Sequence, residues 1–338
     1  MILIVLVILL SYLLTLKINF KLLNKDYLSK DNTKIINGIF VVIVFLSHFS
    51  TYITKTDITE QIILKIVGLF GQLMVTTFLF FSGYGLFESI KKKENYIDNF
   101  LKKRFFPIYF NFFLAVILFI FANLILGNNI KINQVLLSFI GWDSVGNSNW
   151  YMMLVFFQYL AFFIVFKYIK VSNFYRLIIM LITSILYIEI IGIFKDSYWI
   201  DTVLCFNYGL FFSYYKDKID KIILKNNIIT ISLFILSLLL FIPLKLHYGV
   251  YFHNVTSIVF VSIIVLVLTK FKSNSKILSY LGENVFWVYI LQRIPFMLFK
   301  GIINNNYLYL LVSIIVTLLL TIFMNKVTNY IYKKRIKI

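Results

Sequence analysis

Apolar positions along this 338-residue chain are gathered into runs of about 16 to 25 residues, separated by short polar connections. That run length spans a hydrocarbon core of about 30 Å as a helix. Eleven runs are found, approximately at 1–16, 34–53, 62–87, 105–126, 150–166, 176–194, 200–215, 228–243, 255–269, 281–299 and 307–326. None shows the period-two alternation of a membrane β-strand, and backbone groups in lipid must be satisfied within their own segment, so the runs are predicted to be helices. The predicted fold is an all-α polytopic integral membrane protein of about eleven transmembrane helices, forming one domain over residues 1–338.

The polar connections carry the orientation. Lys and Arg cluster in alternate loops: Lys17 to Lys34, Lys91 to Arg104, Lys167 to Arg176, Lys216 to Lys225, Lys270 to Lys276, and the tail from Lys326. These hold 26 of the 33 basic residues, which predicts an N-terminus outside and a cytoplasmic C-terminus. The first run lacks a basic leader and a small-residue cleavage site, and so reads as a retained span. Abundant Ile, Lys, Asn, Phe and Tyr point to an AT-rich genome and to multi-pass placement in a bacterial plasma membrane.

Composition changes the picture little. Hydrophobic residues make up 61% and charged residues 14%, against about a quarter charged in ordinary soluble domains. The net charge of +19 is spread over loops rather than one face, so no nucleic-acid partner is expected; the lipid bilayer is. The single cysteine, Cys205, permits neither an internal disulfide nor a Cys metal site and is expected to pack. No Walker-type loop, HExxH, GxSxG or Cys/His ligand set is present, so no metal is predicted.

What remains is polar residues inside apolar runs. His48, in GIFVVIVFLSHFSTY, lies about 21 Å beyond Lys34 at 1.5 Å per residue. Asn37 falls within roughly 20° of it around the helix, with Lys34 nearby, making one polar stripe. An intramembrane histidine marks a working site, bridges helices or sits at the lipid interface, and its ordinary pKa of about 6.5 suits a general base. Glu189 and the pair Gln292–Arg293 are expected to point inward, for catalysis or as a clasp. Ser82, Gly83 and Gly85 are expected to permit close helix approach. Lys102, Lys103 and Arg104, before a helix start at Pro107, read either as a topogenic cluster or as a phosphate site. Trp150 and Tyr151 suit an aromatic belt. The outside loop 127–149, with GWDSVGNSNW at its end, reads as a lid or a plain connector.

Taken in order, NGIFVVIVFLSHF (37–49), FLFFSGYGLF (78–87), KKRFFPIYF (102–110), NWYMMLVFFQYL (149–160) and LGENVFWVYILQRIPF (281–296) resemble the membrane-bound acyltransferase family 3. The resemblance implies a core of about ten helices plus one additional helix. It also implies an O-acyltransferase using acyl-CoA, commonly acetyl-CoA, as co-substrate, with a carbohydrate or lipid-linked glycan as acceptor. His48 corresponds to the family's catalytic histidine. The chain departs from the pattern at Asn37, where the family has arginine, at Leu101, which stands where the first of two paired arginines would be, and at Gln292, where the motif often ends in histidine.

Carried over residue by residue, the resemblance assigns His48 to catalysis and Lys34, Asn37, Lys102, Lys103 and Arg104 to the acyl-CoA. Ser82, Trp150, Tyr151 and Gln292 are assigned to the substrate. The rival reading is a transporter or flippase for lipid-linked saccharide, which also needs many spans and a polar cavity.

Overall fold

Residues 17–18, 23–53 and 58–336 are described by a computed structural model. Apart from a two-residue antiparallel ladder, Lys17–Ile18 with Phe271–Lys272, the regular structure among them is helical. The predicted first span, 1–16, lies outside the described residues.

Helix α1 (Lys30–Ser50) starts where Ser29 accepts a hydrogen bond from the Asn32 N–H, with Asp31 in the first turn favouring the positive helix end. Helix α2 covers Ile58–Lys92 and α3 Phe106–Ile125, the latter entered through a π-helical turn at Leu101–Phe105. A short α4 (Ile132–Ser138) precedes α5 (Trp150–Tyr168) and α6 (Asn173–Phe194). Then come α7 (Leu204–Tyr214), α8 (Lys216–Ile223), α9 (Asn227–Leu246) and α10 (Val250–Leu268). The chain closes with α11 (Lys276–Glu283), α12 (Val285–Leu291), α13 (Arg293–Phe299) and α14 (Asn306–Ile336).

Eight helices among the described residues are long and apolar enough to cross a membrane: α1, the Phe70–Lys92 part of α2, Leu101–Ile125, α5, α6, α9, α10 and the Asn306–Tyr332 part of α14. Two predicted spans come out shorter. The run 200–215 is helical only over the eleven residues of α7, because the polar turn around Asp196–Asp201 takes its start and charged Lys216 begins the amphipathic α8. The run 281–299 is split at Gln292, since Pro295 has no N–H to return to the Leu291 carbonyl.

Pro107 lies in the first turn of α3, where the sequence predicts the helix start. A π turn at Leu101–Phe105 leads into it, and the Phe106 N–H reaches back five residues to the Leu101 carbonyl. The five-residue step widens the turn just before Pro107.

Helices meet most closely at paired glycines. A Cβ on Gly38 would lie 2.0 Å from the Leu278 carbonyl oxygen, and one on Gly282 1.7 Å from that of Lys34, so α1 and α11 touch backbone to backbone. Likewise a Cβ on Gly83 would lie 2.1 Å from the Phe206 oxygen and one on Gly209 2.2 Å from the Phe80 oxygen, which locks α7 along α2. Gly85, expected to do the same, faces open space, because two residues along a helix is about 200° of rotation away from Gly83.

Buried polar groups knit the interior. Ser184 on α6 accepts from Gln158 of α5 (2.9 Å) and from Asn207 of α7 (2.6 Å). Cys205 is buried, as expected. Glu189 is not inward: it is exposed and takes a hydrogen bond from the Tyr251 hydroxyl, a clasp between α6 and α10. Helix α9 presents almost all of its apolar surface outward, as a lipid-facing helix does.

Candidate active site

The sequence around His48 ends its own helix. Thr51 donates its N–H (3.1 Å) and its hydroxyl (2.8 Å) to the His48 carbonyl, and the Ser50 hydroxyl bonds the Ser47 carbonyl at 2.6 Å. These back-bonds fix the backbone from which the imidazole projects.

The ring turns into the bundle, toward the break between α12 and α13. Gln292 Nε2 lies 2.9 Å from His48 Nδ1 and donates its other proton to the Tyr289 carbonyl at 2.8 Å. Gln292 is fully buried, yet its Oε1 has no hydrogen-bond partner among the described residues. An amide NH2 on Nδ1 makes that nitrogen the acceptor, so a neutral ring carries its proton on Nε2. Arg293, the residue after Gln292, brings its guanidinium within electrostatic range of His48, and its Nε is a buried donor without a hydrogen-bond partner among the described residues. Tyr289 packs against the imidazole at 6.0 Å between centroids and against Tyr151 at 5.4 Å, while Trp150 stands 6.1 Å from Tyr151. Gln292, Tyr151 and Trp150 are thus gathered around His48 through Tyr289.

Ser82 is not part of this group. Its Oγ shares a 2.7 Å hydrogen bond with the Tyr159 hydroxyl on α5. Tyr151 and Tyr159 are eight residues apart, two turns on one helix face and about 12 Å along the axis.

Arg104 and Lys103 line a cleft of ≈ 290 Å3 together with Lys93, Asn99 and Tyr96. The π turn aims these two cations into it, and Lys102, on the same turn, stays outside. From the cleft, Tyr96 meets Phe100 at 6.0 Å and Phe100 meets Tyr159 at 5.6 Å, while Tyr151, two turns away on the same helix, leads through Tyr289 to His48.

The remaining two candidates lie elsewhere. Lys34 pairs with Glu283 of α11 at 3.2 Å, so its charge is engaged there. Asn37 has a buried Oδ1 without a hydrogen-bond partner among the described residues.

A family model described as an acyltransferase domain matches residues 34–326. The chain belongs to acyltransferase family 3. No curated protein and no solved structure matches it significantly. The family 3 match runs from α1 into α14, so it takes in both the His48 cluster and the Lys103–Arg104 cleft. Together with the membrane-length helices, it makes the protein a multi-pass membrane acyltransferase.

Three members of these clusters were not among the site residues read from the sequence. Arg293 is visible as a charge interrupting an apolar run, but only the fold sets it beside His48. Tyr289 is one of 23 tyrosines and carries no signal of its own. Lys93 sits in a basic run that topology alone accounts for, yet it faces Lys103 and Arg104 across the cleft.

Proposed function

We propose that this family 3 member is an O-acyltransferase that moves an acyl group, acetyl foremost, from cytoplasmic acyl-CoA to a hydroxyl of an extracytoplasmic or lipid-linked carbohydrate. One observation supports the reading: α5 carries Tyr151, which leads through Tyr289 to the His48 held by Gln292, and, two turns away, Tyr159, which leads through Phe100 and Tyr96 to the cleft lined by Lys93, Glu94, Lys103 and Arg104. In this scheme eleven spans cross the membrane, counting 1–16, α7 and the α12–α13 pair, with the N-terminus outside.

Lys93, Lys103 and Arg104 hold the donor's phosphates, and the extended thioester arm follows Tyr159, Ser82 and Tyr151 inward. The acceptor oxygen attacks the thioester carbon, the carbon–sulfur bond breaks, and His48 takes the hydroxyl proton and returns it to the departing thiolate. For Nε2 to accept that proton, the ring must carry its other proton on Nδ1. Turning the Gln292 amide over presents the unpaired Oε1 to Nδ1–H and gives up the hydrogen bond donated to the Tyr289 carbonyl. Arg293 faces the oxyanion that develops on the carbonyl. It supplies beside His48 the positive charge that the family pattern places at position 37.

The decisive test is His48→Ala, with acyl content of surface glycans measured against membrane abundance of the protein. General-base loss lowers the rate by about 10²- to 10⁴-fold. Undiminished acylation at normal abundance would refute the role. Neutralising Lys93, Lys103 and Arg104 together is expected to raise the acyl-CoA concentration needed for half-maximal rate; an unchanged dependence leaves the cluster a topological signal only.

A further inference from the structure

The GWDSVGNSNW loop builds a pocket that the reaction scheme leaves unused. Gly141 (φ +78°) and Gly146 (φ +107°) take left-handed turns that other residues resist. Around them the loop is bound throughout: the Asn149 amide donates to the Gly141 carbonyl (3.1 Å), Gln134 to Ser144 (2.8 Å) and Asn123 to Val145 (2.8 Å). A loop tied at this many points is a fixed wall rather than a lid.

Opposite it, Lys195 donates to the Trp142 carbonyl at 2.8 Å and sits over the Trp142 and Trp199 rings at 4.5 and 4.9 Å. Its charge is spent holding the two indoles together. Between these walls is a pocket of ≈ 250 Å3 into which the Asp143 and Asp196 carboxylates and the 44% exposed Tyr198 ring also open. Tyr198 meets Trp150 at 6.5 Å, and Trp150 leads through Tyr151 and Tyr289 to His48.

With Lys195 over the two indoles and Trp199 buried, the exposed Tyr198 ring is the face that suits the C–H side of a saturated ring, and carboxylates accept from its hydroxyls as paired, charge-assisted hydrogen bonds. With two carboxylates and a single engaged cation, the pocket repels a carboxylated or phosphorylated ring. We propose that this pocket, lined by none of His48, Gln292, Tyr289 and Tyr151, binds one uncharged sugar ring of the acceptor other than the ring being acylated, so that the acceptor is an oligomeric glycan. This rests on the acyltransferase reading above and adds the acceptor's length and charge.

Three of the protein's four tryptophans, Trp142, Trp150 and Trp199, lie in or beside the pocket, so intrinsic fluorescence reports its occupancy. The purified full chain in detergent is titrated with a panel of methyl hexopyranosides, their linear trisaccharides and the matching methyl hexuronides. Expected are a saturable change with at least one neutral sugar, binding at least tenfold weaker for its hexuronide, and weakening of at least tenfold in the isosteric Asp143→Asn/Asp196→Asn double variant. No saturable change with any neutral member overturns the proposal, as does an affinity that the double variant leaves intact. Thiol release from acetyl-CoA by the same preparation separates the two readings. Release that depends on His48 without sugar binding sinks the pocket alone; sugar binding without release sinks the transferase reading alone.

Discussion

Gln292→Leu isolates the group that orients the His48 imidazole, the proposed catalytic base. Leucine keeps the buried volume close to that of glutamine but removes both donated hydrogen bonds, to His48 Nδ1 at 2.9 Å and to the Tyr289 carbonyl at 2.8 Å. Leaving a buried acceptor unsatisfied costs about 1–3 kcal/mol. If that loss falls on the orientation of His48 in the transition state, the rate drops about 5- to 150-fold at 1.36 kcal/mol per decade. Gln292→Glu is the partner variant, since its carboxylate accepts from Nδ1–H, the tautomer that frees Nε2 as base. It is expected to keep most of the activity, with Arg293 nearby to balance its charge. The assay is the initial rate of thiol release from acetyl-CoA by purified protein, with a membrane glycan fraction as acceptor and melting temperature as the folding control. Equal rates for the leucine and glutamate variants, or a leucine variant within twofold of the parent, would refute the tautomer argument.

Three further outcomes follow from the packing. Gly209→Ala drives a methyl to 2.2 Å from the Phe80 oxygen, a backbone atom that cannot step aside, and is expected to destabilise by at least about 1–3 kcal/mol. Gly85→Ala meets nothing within 4 Å and is expected to be neutral or to stabilise by up to about 1 kcal/mol; thermal melts in detergent that rank the two alike would contradict the paired-glycine account. Asp201, in the turn before α7, accepts from Gln72 at 2.6 Å, and burial pushes its pKa from 3.8 to about 7. The folded state therefore holds this proton more tightly than the unfolded state, and its contribution is lost as pH rises toward 7. The melting-temperature advantage of Asp201→Asn is expected to grow from pH 4 to about 7 and then level off; a constant difference across that range would count against it.

The sequence by itself determined the helical, membrane-embedded class, because run length and the absence of alternation leave lipid-exposed backbone no other way to satisfy itself. It also singled out His48, since an ionisable group in an apolar run is costly enough to need a reason. Motif order placed the chain in its family, which the acyltransferase match bears out. Tertiary structure decided what surrounds the histidine. Gln292 is 244 residues from His48, and nothing local to either records that a break opposite Pro295 turns the amide onto the ring. The same holds for the engagement of Lys34 by Glu283, for the outward clasp of Glu189 with Tyr251, and for the pairing of Gly83 with Gly209 where Gly85 stands idle. Each depends on which face of one helix meets which face of another. The apolar pattern of a membrane helix carries little of that information, because lipid and protein interior accept the same side chains.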